Sequence, residues 1–247
     1  LEEYLGEKML RYFDRVFDGR TLKVLGYSRQ RIRSNWKVKF ENLKDPYHAS
    51  LLHVFLVSFG LFRADTPSRT EMDATGMHAV QVAQRGEQKA AEGTEEMRAM
   101  KADLTLGNPE MLKPYPEWAE KGDETVVMQT IWPNLIVQQQ SNTLAMRQIR
   151  AFAPEEYELH WTFFGYEDDD EEMTLRRLRQ ANLMGPAGYV SVDDSEVMES
   201  AQSGVSRFPD AQAVVEMGGR GTEDTPHMVT EGAIRAFYKH YIKVMGF

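Results

Sequence analysis

The apolar positions of this chain change period several times. Leu5, Met9, Tyr12, Phe13 and Val16 recur at one-turn steps, which predicts a helix over residues 2–17, closed by Asp18-Gly19. Residues 22–27 read as a short strand. Partial alternation at Ile32, Trp36, Val38 and Phe40 predicts a second strand over residues 31–40. Pro46 suits the first turn of a helix that runs to about residue 60. Thr66-Pro67-Ser68 marks a turn beyond it, and residues 77–83 alternate like a strand. Residues 84–102 are charged and rich in Ala, and read as a surface helix or an excursion. Residues 108–121 are Pro-rich and irregular.

The second half is clearer. Residues 125–130, 135–140, 143–153 and 156–165 read as successive strands, with turns at Trp132-Pro133-Asn134 and Ser141-Asn142. Tyr157, Leu159, Trp161 and Phe163 alternate without a break. Strands joined by such short connections form an antiparallel meander. An acidic run at residues 167–172 then precedes Met173, Leu175, Leu178 and Leu183, with Arg176, Arg177 and Arg179 further on. Acids first and bases later match a helix dipole, and Gly185-Pro186 stops that helix. Residues 214–217 read as a strand, and Gly218 to Gly221 as a loop with no phosphate-binding context. Thr230 caps a final helix that presents Ile234, Phe237, Tyr241 and Val244 on one face.

Composition narrows the class. The chain has 247 residues, 42% hydrophobic and 11% aromatic, enough for a single large core, and no domain boundary or repeat is visible in residues 1–247. A net charge of −9 argues against nucleic acid and anionic membranes as partners. There are no cysteines, so disulfides and thiolate-held metals or clusters are excluded, which suits a reducing compartment. No apolar run approaches the roughly 20 residues of a membrane helix. The chain starts at Leu1 with no leader-like stretch and reads as a piece of a longer protein.

Two of the six histidines, His48 and His53, fall in one short stretch with Asn42 and Asp45. Two imidazoles and one carboxylate form the ligand set of a mononuclear ferrous site with open positions. A five-residue spacing turns two side chains about 140° apart on a regular helix. The helix is therefore irregular near Pro46, or the metal lies over its flank. The same ligands could hold zinc and a water, as in a hydrolase. A non-catalytic domain that binds hydrophobic ligands is a further alternative. Spacing by itself leaves all of these open.

The pattern Asn42-x-x-Asp45-x-Tyr47-His48-x-x-x-x-His53 resembles the iron-binding motif of the large (alpha) subunit of Rieske non-haem iron ring-hydroxylating oxygenases. A second mark of that family follows in the expected order: Gly185-Pro186-Ala187-Gly188, then Asp193-Asp194. The resemblance covers essentially the whole chain. It implies an α+β fold, an antiparallel sheet flanked by helices in a helix-grip, START-like arrangement. It implies His48, His53 and Asp194 as ligands of a mononuclear Fe(II). Asp45 resembles the carboxylate that links this site to a Rieske cluster on a neighbouring subunit. A carboxylate can do this by accepting a hydrogen bond from a ligating imidazole. As an alternative, Asp45 is simply an acid at a helix start. Asn42 matches a position close to the iron, or else is a turn or cap residue. The family's [2Fe–2S] cluster sits in an N-terminal domain held by two Cys and two His, which this cysteine-free stretch does not contain.

Within the family, residues 45–53 are most similar to members that act on aromatic carboxylates, of the salicylate and terephthalate type. Arg147 lies where the resemblance to terephthalate-type enzymes implies a carboxylate-binding arginine; the alternative is an ordinary exposed strand residue. Diacid-specific members carry a second arginine before the last helix, and Met228 falls there. That favours a monocarboxylate, salicylate or a substituted benzoate, over terephthalate and its cis-dihydrodiol. Leu43, Val54, Ile136, Met184 and Val190 are candidate pocket walls. The resemblance further implies dioxygen as co-substrate and electrons from NAD(P)H through a reductase and ferredoxin. It implies an α3 or α3β3 assembly with a small (beta) subunit, and a cytoplasmic location.

Overall fold

The structure is a computed structural model, and it describes residues 1–17, 19–59, 62, 66–84, 107–108 and 124–247. The segments expected at 84–102 and 108–121 lie almost wholly outside the described residues. Seven strands form one antiparallel sheet: β1 (Leu22–Ile32), β2 (Ser68–Met72), β3 (Ala79–Ala83), β4 (Val126–Ile131), β5 (Leu135–Gln140), β6 (Thr143–Ala153) and β7 (Glu156–Tyr166). Their order across the sheet is β1-β7-β6-β5-β4-β3-β2. Among the described residues seven helices accompany it: α1 (Glu2–Val16), α2 (Trp36–Asn42), α3 (Ala49–Leu52), α4 (Val54–Ser58), α5 (Glu171–Met184), α6 (Tyr189–Arg207) and α7 (Gly232–Met245). The architecture is α+β, an antiparallel sheet flanked by helices, as expected.

Each face of the sheet has its own core. On one face α1 lays Leu5, Met9, Tyr12 and Val16 against Val80, Val82, Val127, Val137 and Leu144. On the other, Phe40 of α2, Met198 of α6 and Phe237 of α7 cover Ile136, Tyr157 and Trp161. Phe40 and Phe237 stack with centroids 5.4 Å apart. Neither ring has exposed surface, and burying each contributes about 1.5–3 kcal/mol. Among the described residues no helix is long and apolar enough to cross a membrane.

The structure corrects several expectations. Residues 31–40 are not a strand: β1 runs on to Ile32, and α2 begins at Trp36. Trp36 and Phe40 are four apart, a spacing that fits both periods, and Asn35 decides for the helix by capping it. Its Oδ1 accepts from Lys37 N at 3.0 Å. The turn at Thr66-Pro67-Ser68 opens directly into β2, which the sequence did not suggest. Residues 214–217 form no strand. The helix expected from Pro46 is two short helices, α3 and α4, with a break between them. The last helix starts at Gly232 and its N-cap position is Glu231, not the expected Thr230, although Thr230 Oγ1 accepts from Gly232 N at 3.0 Å. Val244, expected on its buried face, is exposed.

Candidate metal centre

The break between α3 and α4 falls on a candidate ligand. His53 has φ −82° and ψ 71°, outside the helical region. The irregularity is therefore at His53 rather than near Pro46. It cancels the unfavourable turn of a five-residue spacing and brings the imidazoles of His48 and His53 to 5.3 Å between centroids. The third member arrives on α6. Gly188 starts that helix, and a Cβ there would stand 2.0 Å from the carbonyl oxygen of Leu183 at the end of α5. Only glycine permits so tight a junction, and the junction aims the first turns of α6 at the histidines.

His48, His53 and Asp194 then form a cluster whose ligand atoms lie within 4.8 Å of one another. Both Nε2 atoms stand 3.4 Å from Asp194 Oδ1. Ligands about 2.1 Å from one metal and at right angles to each other stand roughly 3 Å apart, so the residues fit a shared divalent ion. The tautomers fit as well. His48 Nδ1 lies 2.5 Å from the main-chain oxygen of Asp45, so it carries the proton and leaves the Nε2 lone pair for a metal. His53 Nδ1 faces Asp193 Oδ2 at 3.4 Å.

Asp45 thus orients His48 through its backbone; its carboxylate does other work. Oδ1 accepts from the amides of Tyr47 (2.9 Å) and His48 (3.2 Å), while Oδ2 is 3.7 Å from His48 Nδ1. The carboxylate is partly exposed, and Asp45 is among the residues lining the neighbouring cavity.

Asn42 is in direct contact with the cluster. Its Nδ2 donates to Asp194 Oδ1 at 2.9 Å and lies 3.4 Å from His48 Nε2. Its Oδ1 accepts from Lys39 Nζ at 2.7 Å. Lys39 is buried, and its ammonium is 3.6 Å from Asp194 Oδ2. Burial lowers its pKa to about 8, with Asp194 offsetting part of that. Burial would raise the Asp194 carboxyl, but Lys39 and the two histidines hold it well below the usual carboxylate range. Burial also opposes charge on His48, yet Asp194 and Asp45 raise it; His53 is lowered, by burial first.

A cavity of about 100 Å³ opens beside this cluster. That is of the order of the ~150 Å³ apolar cavity known to hold one benzene ring. Leu43, Met184 and Val190 line it, and so does Arg147. Ile136 lies beneath in the core, without exposed surface. Val54 is half exposed, because the break at His53 turns the start of α4 outward. Arg147 is not the exposed strand residue of the alternative reading; it is only 4% exposed. Among the described residues its Nε has no hydrogen-bond partner, and its Nη2 reaches Met128 Sδ at 3.4 Å. The guanidinium lies 4.7 Å over the Trp161 ring. Burial lowers its pKa to about 10. Met228 is buried and lines the same cavity.

Lys39, Thr70, Gln81 and Gln138 also stand in or beside this site, and motif reasoning did not single them out. The signal was present in the strands. Gln138, Gln139 and Gln140 are all buried in β5, where an ordinary strand of a covered sheet would place apolar residues.

Comparison with known proteins agrees with the geometry. The family described as ring hydroxylating alpha subunit (catalytic domain) matches residues 17–246. The large oxygenase component of salicylate 5-hydroxylase from Ralstonia sp is 49% identical over 99% of this chain and 58% of its own length. The anthranilate 1,2-dioxygenase large subunit of Burkholderia cepacia is 40% identical over 100% of this chain and 58% of its own length. The chain thus spans a little over half of these relatives. A crystal structure of naphthalene 1,2-dioxygenase from Rhodococcus sp., bound to indole, superposes with a TM-score of 0.75 at 20% identity, covering 99% of this chain and 61% of that one.

Proposed function

The chain belongs to the ring-hydroxylating oxygenase alpha-subunit family, as its catalytic domain, and from that premise we propose that it hydroxylates an aromatic monocarboxylate. The carrying observation is Arg147: a buried guanidinium with no carboxylate partner among the described residues, in the wall of the cavity that the metal cluster borders. A buried cation is costly unless an anion meets it, and the planar fork of arginine meets a carboxylate with two parallel bonds. The salicylate and anthranilate enzymes among the relatives are named for such substrates. Met228 stands where a second carboxylate would need a cation. The other arginine on the cavity wall, Arg69, is held by Glu71 at 2.9 Å and Glu124 at 2.8 Å. Both points support a monocarboxylate over a diacid such as terephthalate.

His48, His53 and Asp194 would hold ferrous iron, which supplies dioxygen activation when bound. Arg147 fixes the carboxylate end of the ring. Asn42, oriented by Lys39, presents Nδ2 hydrogens towards the cluster and can donate to a small ligand beside it. Leu43, Met184 and Val190 keep the ring side apolar. In monohydroxylation one oxygen atom enters the ring and the other leaves as water, with two electrons and two protons consumed. In dihydroxylation both atoms enter, and two electrons and two protons are again consumed. A Rieske [2Fe–2S] cluster held by a neighbouring subunit would supply the electrons, drawn from NAD(P)H, and Asp45 would face that neighbour. Its partly exposed carboxylate supports this.

The test is product analysis with the full-length protein, its redox partners, a panel of aromatic carboxylates and isotopically labelled dioxygen. Label in a ring hydroxyl, lost together with iron in His48→Ala and Asp194→Ala, is the expected result. Zinc at full occupancy with no dioxygen uptake would overturn the proposal.

A further inference from the structure

Two rows of side chains floor the cavity on the way to Arg147. Strand register sets Ser68, Ala83, Val126 and Gln140 side by side, and two residues along the strands it sets Thr70, Gln81, Met128 and Gln138. Arg147 belongs to the next row, beside Ile136. Paired residues and residues two apart point to the same face, so the three rows share it. Both outer rows and Arg147 line the cavity. Exposure falls from row to row. Ser68, Ala83 and Val126 are partly exposed, whereas Thr70 is 1% and Arg147 4% exposed.

The β2–β3 end of these rows holds polar atoms that nothing in the fold satisfies. Ser68 Oγ, Thr70 Oγ1 and Gln81 Nε2 are buried and lack a hydrogen-bond partner among the described residues. Thr70 and Gln81 stand directly opposite each other, and Ser68 is two residues from Thr70 on the same face. The three groups are therefore neighbours, within reach of one small polar group. Hydroxyls and an amide nitrogen can all donate hydrogen bonds, and none of them carries charge. They are separate from the guanidinium. The backbones of β3 and β6 are three strand spacings apart, roughly 14 Å. Met128 of β4 lies between, its Sδ 3.4 Å from Arg147 Nη2. One carboxylate meets the donors and Arg147 in turn, not together.

We propose that Ser68, Thr70 and Gln81 form a relay subsite that receives the substrate's carboxylate as it enters and passes it on to Arg147. This rests on the carboxylate reading of Arg147. A carboxylate stripped of water is costly at every point of its path, so a path through a closed cavity needs donors along it. The partly exposed outer row lies at one end of these donors and Arg147 beyond the other. Neutral donors suit a relay. A second arginine there would trap the anion by its charge and its bidentate fork, whereas hydroxyls and an amide release it. Leu43, Met184 and Val190 give the ring an apolar wall elsewhere in the cavity, so the donors are not needed for the ring.

The test is stopped-flow binding of benzoate and salicylate to the full-length, iron-loaded oxygenase under anaerobic conditions. In Thr70→Val/Gln81→Met the association and dissociation rate constants are expected to fall together by about tenfold, the worth of one hydrogen bond to a charged group, with Kd nearly unchanged. A relay lowers the barrier in both directions without touching the final complex, which a merely structural role would not reproduce. Thr70→Ser keeps the hydroxyl and should keep wild-type rates. Each variant is checked for folding by its melting transition. If the double variant does not fold, Ser68→Ala and the two single variants carry the test, with about threefold expected for each. Unchanged rate constants in every variant that folds overturn the inference. So does a weakened Kd at an unchanged association rate, because the three residues would then touch the bound ligand. Failure of benzoate and salicylate alike to bind the wild type overturns the Arg147 reading instead, so the two failures are distinguishable.

Discussion

Lys39 Nζ donates to Asn42 Oδ1 across 2.7 Å, and this contact decides which way the amide faces. An ammonium has only donors, so Asn42 must turn its oxygen to Lys39 and its Nδ2 to Asp194 Oδ1, 2.9 Å away. Lys39 is also a cation 3.6 Å from a metal-ligand candidate, and so competes with a metal for the Asp194 carboxylate. In Lys39→Met the metal-free protein should lose on the order of 2 kcal/mol, because a buried carboxylate loses its charged partner. Added ferrous iron should then raise the melting midpoint more in the variant than in wild type. Equal metal-induced shifts in anaerobic melts would show that Lys39 does not act on Asp194.

Arg147→Leu should weaken binding of an aromatic carboxylate by about 2–3 kcal/mol, the worth of a charge-assisted hydrogen bond in a dry site. The corresponding neutral amide should lose far less. Arg147→Lys should not restore affinity, since a point charge cannot make the bidentate pair. Titrations of acid and amide against the three proteins check this, and a parallel loss for both ligands would count against a carboxylate contact.

Asp45→Asn should keep the metal, because His48 is oriented by the main-chain oxygen of residue 45 rather than by its carboxylate. Iron content should match wild type in the assembled oxygenase, while single-turnover electron transfer from the cluster slows. Full turnover in this variant would remove Asp45 from the inter-subunit contact.

Lys44 is buried without exposed surface beside α7. Its Nζ bonds Thr130 Oγ1 and lies 5.3 Å from the Phe40 ring and 5.7 Å from that of Phe237. Burial lowers its pKa to about 7, and the attraction of Asp73 offsets little of this. An unfolded lysine titrates near 10.4, so between about 7 and 10 the unfolded chain binds the extra proton. Stability should therefore rise with pH across that window, by up to about 1.4 kcal/mol per unit from this group. Lys39 adds to the same trend above about 8. Lys44→Met should be more stable at neutral pH and show a flatter curve. Urea denaturation at several pH values measures this; an unchanged slope would contradict it.

Gly188→Ala puts a Cβ against the Leu183 carbonyl, with 2.0 Å between them. Backbone cannot yield as a side-chain tip can, so the junction of α5 and α6 must open. A cost of about 3 kcal/mol or more is expected, together with loss of stoichiometric metal as Asp194 moves. Wild-type metal content in a folded Gly188→Ala protein would show that the junction does not place the ligand.

Some of this was legible in the residues alone. Strand β7 shows a two-residue period at Tyr157, Leu159 and Trp161, because these positions turn to the core covered by α2, α6 and α7. The two glycine- and histidine-bearing motifs identified the family and the residues of the cluster. What sequence could not supply were the contacts made across the fold. Trp36 and Phe40, four apart, satisfy strand and helix periods alike, and the Asn35 cap and the packing of Phe40 on Phe237 select the helix. The spacing of His48 and His53 looks poor until the backbone breaks at His53. The burial of Lys39 and Arg147 and the orphan atoms of Thr70, Gln81 and Gln138 depend on neighbours far along the chain. A charge or an amide becomes informative only when the fold removes its water, and that is decided by tertiary packing, not by local sequence.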